Sequence, residues 1–394
     1  MIDYRRQGQL PPKPHTVFRN DEGGLYYEHC FTTVGFDGPF SVLYHKSPPQ
    51  SLRFGTGCEP CWDTAAAGGG NESLRRRHYK TAQAGTGLSP MTARVPLLVN
   101  SDMTMGIVHP AASDTDYFAN GDGDDVFFIH RGGGELRSWF GRLRFESGDY
   151  VVIPKAVAHR FILDLTEQVW FWMECRSTIR IPSQYRNHVG QLRMDAPYSH
   201  RDFRSPELPP NEAIDLDFSD RLYTKRGDRF TVHQTSDVFL DTIGWDGTVY
   251  PFAFSIHRFS PKTGQVHLPP TVHGTFATSK SLICSFVPRM VDFGDGAIPC
   301  PYPHSNVDVD EVIFYSAGDF TSRRGIEAGS VSFHPAGVPH GPQPGAYEAS
   351  IGVLRVHELA VMVDTFEPLR PTRAALPMEV ADYDDSWQTN PMSL

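Results

Sequence analysis

The sequence predicts an all-β protein built from two β-barrels, with few and short helices. Three observations carry this prediction: the spacing of short apolar runs, the abundance of turn residues, and a motif that occurs twice. The 394 residues include 35 glycines and 32 prolines, and 12% of them are aromatic. Frequent turns between short apolar segments are typical of sandwiches and barrels. With 40% hydrophobic and 21% charged residues, the chain has the composition of an ordinary globular protein.

The apolar runs fall into two blocks, at residues from about 97 to 175 and from about 249 to 359. Each run is bounded by Gly, Pro or polar residues, as expected of strands that end in tight turns. We predict strands at 126–129, 138–140, 150–153 and 169–173 in the first block, and at 253–256, 281–286, 312–315 and 351–354 in the second. The best helix candidate is short and lies between residues 371 and 380.

A spaced motif supports an internal duplication. Gly148 is followed by Pro154 and then His159, and residues 329–340 repeat the same spacing with Gly, Pro and His. This pattern is the second signature of the cupin barrel, a small double-stranded β-helix jelly roll. We therefore expect a bicupin. Its N-terminal domain would span 1–245, with a cupin core at about 97–175, and its C-terminal domain 246–394.

Charge and hydropathy exclude several classes of partner. The net charge is −10, and the densest basic run, residues 75–78, is short, so we expect no nucleic-acid partner. No apolar run approaches the roughly 18 residues that span a membrane. The N-terminus lacks the apolar core of a signal peptide, so we expect a cytoplasmic protein with no membrane partner. Cys58 and Cys61 have the spacing of half a zinc site, but no second pair accompanies them, so we expect a surface loop there.

The second block carries a candidate metal site. His304 precedes Glu311 by seven positions, and His340 ends the repeated motif on a later strand. A cupin brings these strands together, so two imidazoles and one carboxylate would converge. Two His and one carboxylate with open positions are typical of non-haem Fe(II) sites that activate O2. Asp308 and Asp310 lie between the first two, and either could replace Glu311 if the strand register differs.

The first block lacks this set of ligands. Around residues 124–130 no pair of histidines precedes a carboxylate, and only His130 and His159 remain. Two scattered imidazoles rarely hold a metal. We therefore predict that the N-terminal cupin is degenerate, metal-free and structural.

Longer segments of the chain resemble a known family. They are residues 24–28 (GLYYE), 286–289 (FVPR), 303–311 (PHSNVDVDE), 334–342 (HPAGVPHGP) and 359–366 (LAVMVDTF). Together they resemble the homogentisate 1,2-dioxygenase family, and most closely its actinobacterial-type branch. The resemblance covers most of the chain and is strongest between residues 267 and 371.

The resemblance implies an activity and a cofactor. Fe(2+) would be bound by His304, Glu311 and His340, and the enzyme would convert homogentisate and O2 to 4-maleylacetoacetate in tyrosine and phenylalanine catabolism. The family also implies a homo-oligomer, a trimer or a hexamer. The spacing between the first two ligands is one residue longer here than in the animal-type pattern, which keeps Asp310 as an alternative ligand.

Further site residues follow from the same comparison. The family's acid–base histidine lies in a His-x-x-Pro segment, which His267 matches, and a second pocket histidine matches His334. Phe320 stands where the family has a substrate-holding tyrosine, so a hydroxyl donor is missing. From the residues alone, His273 competes with His267 for the role of base. Arg289 could pair the substrate carboxylate or form an internal salt bridge.

Three other functions remain open at this stage. One is a related dioxygenase acting on another hydroquinone acid, such as gentisate. A second is a bicupin sugar isomerase with Zn or Mn, although such sites usually hold more histidines. A third is a metal-free bicupin that binds or stores a ligand, which the complete set of ligands in one block disfavours.

Overall fold

The computed structural model describes residues 2–53, 55–68, 73–209, 221–234, 240–320 and 325–387. These residues are mostly β-strand, with one short α-helix, α1 (Ala346–Ala349). The strands are β1 (Arg5–Gly8), β2 (Tyr27–Thr32), β3 (Phe40–His45), β4 (Thr56–Cys58), β5 (Arg77–Lys80), β6 (Arg94–Val99), β7 (Met103–Val108), β8 (Tyr117–Asn120), β9 (Asp124–Arg131), β10 (Gly133–Ser138), β11 (Gly141–Glu146), β12 (Asp149–Ile153), β13 (His159–Leu163), β14 (Val169–Cys175), β15 (Phe203–Arg204), β16 (Arg221–Arg226), β17 (Arg229–Gln234), β18 (Thr242–Gly247), β19 (Phe252–Ser255), β20 (Gly274–Ala277), β21 (Ser281–Phe286), β22 (Arg289–Met290), β23 (Asp310–Ala317), β24 (Ser330–His334), β25 (Arg355–Val356), β26 (Leu359–Thr365) and β27 (Arg370–Pro371). The 3-10 helices are Thr81–Ala84, Ser183–Tyr185, His200–Asp202, Ile256–Arg258, Pro270–His273, Arg373–Met378 and Asp384–Trp387.

The strands form two barrels, which confirms the predicted all-β bicupin. The N-terminal barrel has an eight-stranded sheet, β15-β19-β12-β9-β14-β7-β6-β27, and a seven-stranded sheet, β11-β10-β13-β8-β16-β17-β4. The C-terminal barrel is built on a six-stranded sheet, β20-β21-β26-β23-β24-β5, with the two-stranded β22-β25. A four-stranded sheet, β1-β18-β3-β2, packs beside them. No helix in the described part of the chain is long and apolar enough to cross a membrane.

The duplication extends to strand order and backbone conformation. The strands β12-β9-β14-β7-β6 of the N-terminal barrel correspond to β24-β23-β26-β21-β20 of the C-terminal barrel. Gly148 and Gly329, which open the two copies of the motif, have φ of 90° and 87°. Glycine reaches this left-handed region without the steric cost of a Cβ. The two copies of the motif therefore form the same turn, once in each barrel.

The two halves exchange strands. β5, from the N-terminal half, pairs with β24 of the C-terminal barrel. β19 and β27 follow the predicted boundary at residues 245/246 but pair with β12 and β6 of the N-terminal barrel. The division into domains at 1–245 and 246–394 thus remains a prediction about folding units, and strand pairing crosses it. Residues 388–394 of the second predicted domain lie outside the described residues.

One hydrophobic core runs through both barrels. Phe128 and Phe314 occupy equivalent positions on β9 and β23, and their ring centroids lie 6.0 Å apart. Phe314 also stacks on Phe171, with centroids 5.1 Å apart and planes 12° from parallel. All three are fully buried. Close-packed aromatic contacts of this kind fix β23, the strand that carries Glu311, against the neighbouring barrel.

Two predicted strands are wrong. The run 138–140 is the end of β10 and a turn into β11, where Phe140 is buried against Trp245 rather than in a strand. The run 351–354 is a turn after α1, with Ile351 65% and Leu354 71% exposed. The remaining predicted strands coincide with β9, β12, β14, β19, β21 and β23. The predicted short helix is the 3-10 helix at Arg373–Met378.

The Cys58 and Cys61 segment differs in part from the expected surface loop. Cys58 is the last residue of β4, and both thiols are half-buried against the main core. Burial raises the pKa of the Cys61 thiol to about 11. Both cysteines are free of disulfides.

Candidate functional site

Strand alternation places Glu311 inside the C-terminal barrel. Along β23, Val312 and Phe314 belong to the core shared with the other barrel, whereas Ile313 and Tyr315 belong to a separate apolar cluster. Because side chains alternate between the faces of a strand, Glu311 shares the inner face with Ile313 and Tyr315. Its carboxylate therefore points into the barrel.

His304 and His340 face each other next to this carboxylate. The backbone N–H of His304 donates to the carbonyl of His340 over 2.8 Å, and the backbone N–H of His340 donates to the carbonyl of His304 over 2.9 Å. The Nε2 atom of His304 lies 4.0 Å from Glu311 Oε2, and that of His340 lies 3.7 Å from Oε1. Potential ligand atoms of these three residues all lie within 4.8 Å of one another. Bonds of about 2.0–2.2 Å to one metal would bring such atoms roughly 3–3.5 Å apart, so small side-chain rotations suffice.

The backbone fixes the histidine tautomers. His304 Nδ1 lies 3.2 Å from the carbonyl of Tyr302, and His340 Nδ1 lies 2.9 Å from the carbonyl of Val338. Because a carbonyl only accepts, each Nδ1 carries the proton. The Nε2 lone pairs are then directed toward Glu311, which is the form in which imidazole binds a metal.

Glu311 is ionised despite its burial. Burial alone would raise the pKa of Glu311, but the hydrogen bond from His334 and the proximity of the His340 imidazole hold this pKa well below its ordinary value. The stronger contact is from His334 Nδ1, 2.6 Å from Oε1. An ionised, oriented carboxylate beside two neutral imidazoles fits the donor set of an O2-activating iron site.

The neighbouring aspartates have other roles. Asp310 lies on the opposite face of β23, where Oδ1 accepts from the Ala336 N–H over 2.7 Å and Oδ2 from the Leu369 N–H over 2.6 Å. The equivalent Asp124 of the N-terminal barrel accepts backbone N–H groups in the same way, at 2.9 and 2.8 Å. Asp308 is exposed. Asp310 is thus tied to the backbone, whereas Glu311 projects toward the two imidazoles.

A cavity of about 250 Å³ is lined by two of these residues, His304 and Glu311, and by Gly341, which follows His340. Its apolar wall includes Phe286, Ile313, Tyr315, Ala360 and Met362. The size is near the lower end of the roughly 300–1,000 Å³ typical of small-molecule sites. Two larger depressions, of about 690 and 590 Å³, lie elsewhere on the surface and lack the group of His304, Glu311 and His340.

Two predicted site histidines line this cavity. His267 Nδ1 lies 3.6 Å from Asp292 Oδ2, and its ring meets Tyr302 edge-on at 5.0 Å. Burial lowers the pKa of His267, with Asp292 partly opposing this. His273 is more deeply buried beside Phe286, and burial lowers its pKa to about 3. Because the pKa of His273 lies far below physiological pH, its imidazole is a weak base. His267 is therefore the better placed of the two histidines to exchange a proton.

Arg289 also lines the cavity, and it has an internal partner. Its Nη1 lies 3.2 Å from Glu358 Oε1 and donates over 3.2 Å to the carbonyl of Val287. Of the two roles open from sequence, the internal salt bridge is the one observed. Contact with a substrate carboxylate stays a prediction.

His334 and Phe320 are not among the residues that line the cavity. His334 is 0% exposed and lies beside Glu311 on the neighbouring strand, with its ring stacked on His340 at 4.9 Å. Its Nε2 lies 3.5 Å from the Tyr383 hydroxyl. Phe320 packs edge-on against Tyr315 at 5.0 Å. His334 thus contacts two candidate ligands, and Phe320 packs against a residue of the cavity wall, while contact of either with a substrate stays a prediction.

Asp292, Tyr302 and Asp364 were not predicted from the sequence. Asp292 and Tyr302 flank His267. Asp364 on β26 pairs directly with Glu311 on β23. Burial raises the pKa of Asp364 to about 7, and the charge of Glu311 adds to this shift. The duplication could have identified it, because Glu174 is the equivalent acid in the first block.

The N-terminal barrel contains a second acidic cluster, formed by Asp122, Glu174 and Asp228. Lys225 Nζ lies among these carboxylates, at 3.1, 2.7 and 3.1 Å. The ammonium group thus occupies the space among the three carboxylates, and a metal would have to displace it. We assign no metal site there.

The interior of the same barrel is filled around Arg94. Its Nη1 lies 3.1 Å from Asp125 Oδ1. Its guanidinium carbon lies 4.6–5.0 Å from the ring centroids of Trp62, Phe118, Phe127 and Trp172. Asp125 occupies the position that corresponds to Glu311. In the N-terminal barrel, the Arg94 guanidinium, packed between aromatic rings, therefore lies beside Asp125, the acid that corresponds to Glu311.

The chain is similar to several known proteins. A family model described as homogentisate 1,2-dioxygenase N-terminal matches residues 79–256. A protein of Saccharolobus solfataricus named "Putative dioxygenase" is 34% identical over 395 residues, covering 99% of this chain and 100% of its own. Homogentisate 1,2-dioxygenase of Bradyrhizobium diazoefficiens is 27% identical over 290 residues, covering 69% of this chain and 62% of its own length. Among solved structures, a cupin 2 conserved barrel domain protein from Leptotrichia buccalis covers 74% of this chain and 96% of its own, at 10% identity and a TM-score of 0.33.

Proposed function

Because the chain belongs to the homogentisate 1,2-dioxygenase family, we propose that it is an iron-dependent dioxygenase that opens the ring of a hydroquinone acid. The observation that carries the proposal is the group of His304, Glu311 and His340, whose candidate ligand atoms converge at the end of an apolar cavity. These three residues would hold Fe(2+). Homogentisate is the proposed substrate and 4-maleylacetoacetate the product.

The metal and the side chains of the protein would make different contributions to the reaction. Ferrous iron in such an open site supplies coordination positions for a chelating substrate and O2 together. The chain orients its ligands through backbone carbonyls and through His334, which donates to Glu311. The apolar wall would hold the aromatic ring and exclude bulk water. His267 would accept the proton of a ring hydroxyl, with Asp292 stabilising the imidazolium that results.

The cavity also bears on the alternatives. Its walls are predominantly apolar, with Phe286, Ile313 and Met362 among them, which suits an aromatic ring better than the many hydroxyls of a sugar. A gentisate-like acid remains the second candidate, because Phe320 lacks the hydroxyl that the family's tyrosine would offer. The N-terminal barrel would serve as the structural half, since Arg94 and Lys225 already pair with its acids. The homo-oligomer and the cytoplasmic location expected from sequence stay predictions.

The substrate can be tested directly. Iron-loaded protein would be given homogentisate, gentisate and a hydroquinone without a carboxylate, while O2 consumption and product absorbance are recorded. We expect uptake to be fastest with homogentisate and absent without the carboxylate. Faster turnover of gentisate would replace homogentisate as the substrate and keep the reaction class.

Replacing His267 with Phe should lower turnover and leave the metal in place. General acid–base catalysis contributes about 10²–10⁴-fold, so kcat should fall within that range. Iron content, measured on the same preparation, should equal that of the wild type. Loss of iron in this variant would instead make His267 a ligand. His273→Phe serves as a comparison, since a neutral, buried His273 should contribute less to proton transfer.

A further inference from the structure

Three residues of the C-terminal barrel lie in one row across adjacent strands. Glu311 on β23 pairs with His334 on β24 on one side and with Asp364 on β26 on the other. Direct cross-strand partners project from the same face of a sheet. Asp364 therefore shares the inner face with Glu311 and lies beside it on the strand away from His334.

The N-terminal barrel contains the corresponding row. Asp125 on β9 pairs with Ile153 on β12 and with Glu174 on β14. Both barrels thus place two acids side by side at the same level. The acids are Asp125 and Glu174 in one barrel, and Glu311 and Asp364 in the other.

In the N-terminal barrel each acid of the row has its own cationic side chain. Arg94 lies 3.1 Å from Asp125, and Lys225 lies 2.7 Å from Glu174. The side chains of these two pairs are at most 2% exposed. Burying a charge is costly unless an opposite charge accompanies it, and here each acid of the row has a cationic side chain within ion-pair distance.

In the described part of the chain, no Arg or Lys side chain pairs with Glu311 or Asp364 of the C-terminal row. Glu311 contacts only histidines among the ion pairs of the described residues, and Asp364 has none. The Asp364 Oδ1 atom is enclosed, and within the described ranges no hydrogen-bond donor reaches it. An enclosed carboxylate oxygen without a partner is rare in folded proteins, and a cation bound beside Asp364 and Glu311 would compensate both buried carboxylates.

We propose that Asp364 is the second carboxylate of the metal centre, where its charge and that of Glu311 together balance one divalent cation. Asp364 lies outside the group whose ligand atoms lie within 4.8 Å of one another, so it acts as a positioning residue and not as a fourth ligand. The two barrels then compensate their paired buried acids in different ways. Arg94 and Lys225 pair with Asp125 and Glu174 in the N-terminal barrel. The bound metal would compensate Glu311 and Asp364 in the C-terminal barrel. This inference rests on the proposed metal centre.

The test compares Asp364→Asn with Asp364→Glu and with Glu348→Gln. Asn removes the charge and keeps the shape, whereas Glu keeps the charge and is the residue found at the equivalent position 174. Glu348 is an exposed residue of α1, so its variant makes the same change in net charge away from the row. Affinity for Co(II) and Fe(II) would be measured anaerobically by competition with a chromophoric chelator, and thermal unfolding would be followed on metal-free protein.

We expect Asp364→Asn to weaken metal affinity about 10–100-fold, the usual cost of losing an outer partner of a metal ligand. Asp364→Glu should restore most of that loss, and Glu348→Gln should match the wild type. Metal-free Asp364→Asn should unfold at the same temperature as the wild type or higher, because the variant removes an enclosed carboxylate that lacks a partner.

Two results would overturn the inference and leave the proposed function intact. One is wild-type metal affinity in Asp364→Asn. The other is weakened affinity accompanied by a lower unfolding temperature of the metal-free variant, which would make Asp364 a structural residue. If the wild type itself binds neither Fe(II) nor Co(II), the proposed function fails, and the role of Asp364 fails with it.

Discussion

Replacing Glu311 with Ala is expected to empty the metal centre and abolish O2 uptake. The variant removes the only carboxylate in the group formed with His304 and His340. Two neutral imidazoles without an anionic ligand would bind a divalent ion weakly, so affinity should fall by more than about 100-fold. Iron content after anaerobic loading and desalting is the measurement. The fold should persist, because within the described ranges the Glu311 carboxylate contacts histidines and accepts no backbone hydrogen bond.

Asp310→Asn is the matched control for this prediction. Asp310 accepts two backbone N–H groups, at 2.7 and 2.6 Å, so the variant should lower the free energy of unfolding by about 1–3 kcal/mol. It should nevertheless bind iron. If Asp310→Asn loses the metal while Glu311→Ala retains it, the assignment of the carboxylate ligand is wrong.

Replacing Arg94 with Met should cause the largest loss of stability outside the metal centre. Arg94 and Asp125 form an ion pair whose side chains are each 1% exposed. Removing one partner of such a pair leaves an uncompensated buried charge, which costs about 3–5 kcal/mol. The loss of contacts with the surrounding aromatic rings adds to this cost. The free energy of unfolding, measured by urea titration of metal-free protein, checks the prediction.

Arg131→Met is the control for this second prediction. Arg131 also pairs with an acid, Glu167, but its side chain is 53% exposed, so the pair should contribute no more than about 1 kcal/mol. The double variant Arg94→Met with Asp125→Leu should recover part of the lost stability, because it removes both buried charges. An effect of Arg94→Met as small as that of Arg131→Met would contradict the role assigned to the buried pair.

The sequence predicted the bicupin and the grouping of His304, Glu311 and His340 because both depend on local spacing. The two copies of the Gly-Pro-His motif report the same turn, and the turn positions the histidine that follows it. The strand exchange could not be predicted in this way. β5 and β24 are separated by about 250 positions, and β5 carries no motif that indicates its partner.

Other errors have local causes. An apolar run shows that residues are buried or packed, but it does not distinguish a strand from a turn. Residues 138–140 are such a case, since Phe140 packs on Trp245 from a hairpin turn. The resemblance gave the place of His334 in the chain but not its neighbours in the barrel, so its contact with Glu311 was not predicted. The register between β23 and β24 makes His334 the direct cross-strand partner of Glu311.

Metal replacement tests the central claim most directly. Protein stripped of metal would be reloaded anaerobically with Fe(II) or with Zn(II), and O2 uptake with homogentisate would be recorded for each form. A redox role for iron predicts that uptake returns with Fe(II) and stays absent with Zn(II), although zinc should occupy the same His304, Glu311 and His340 set. Uptake by the zinc form, or by the metal-free protein, would contradict the assignment of an iron-dependent dioxygenase.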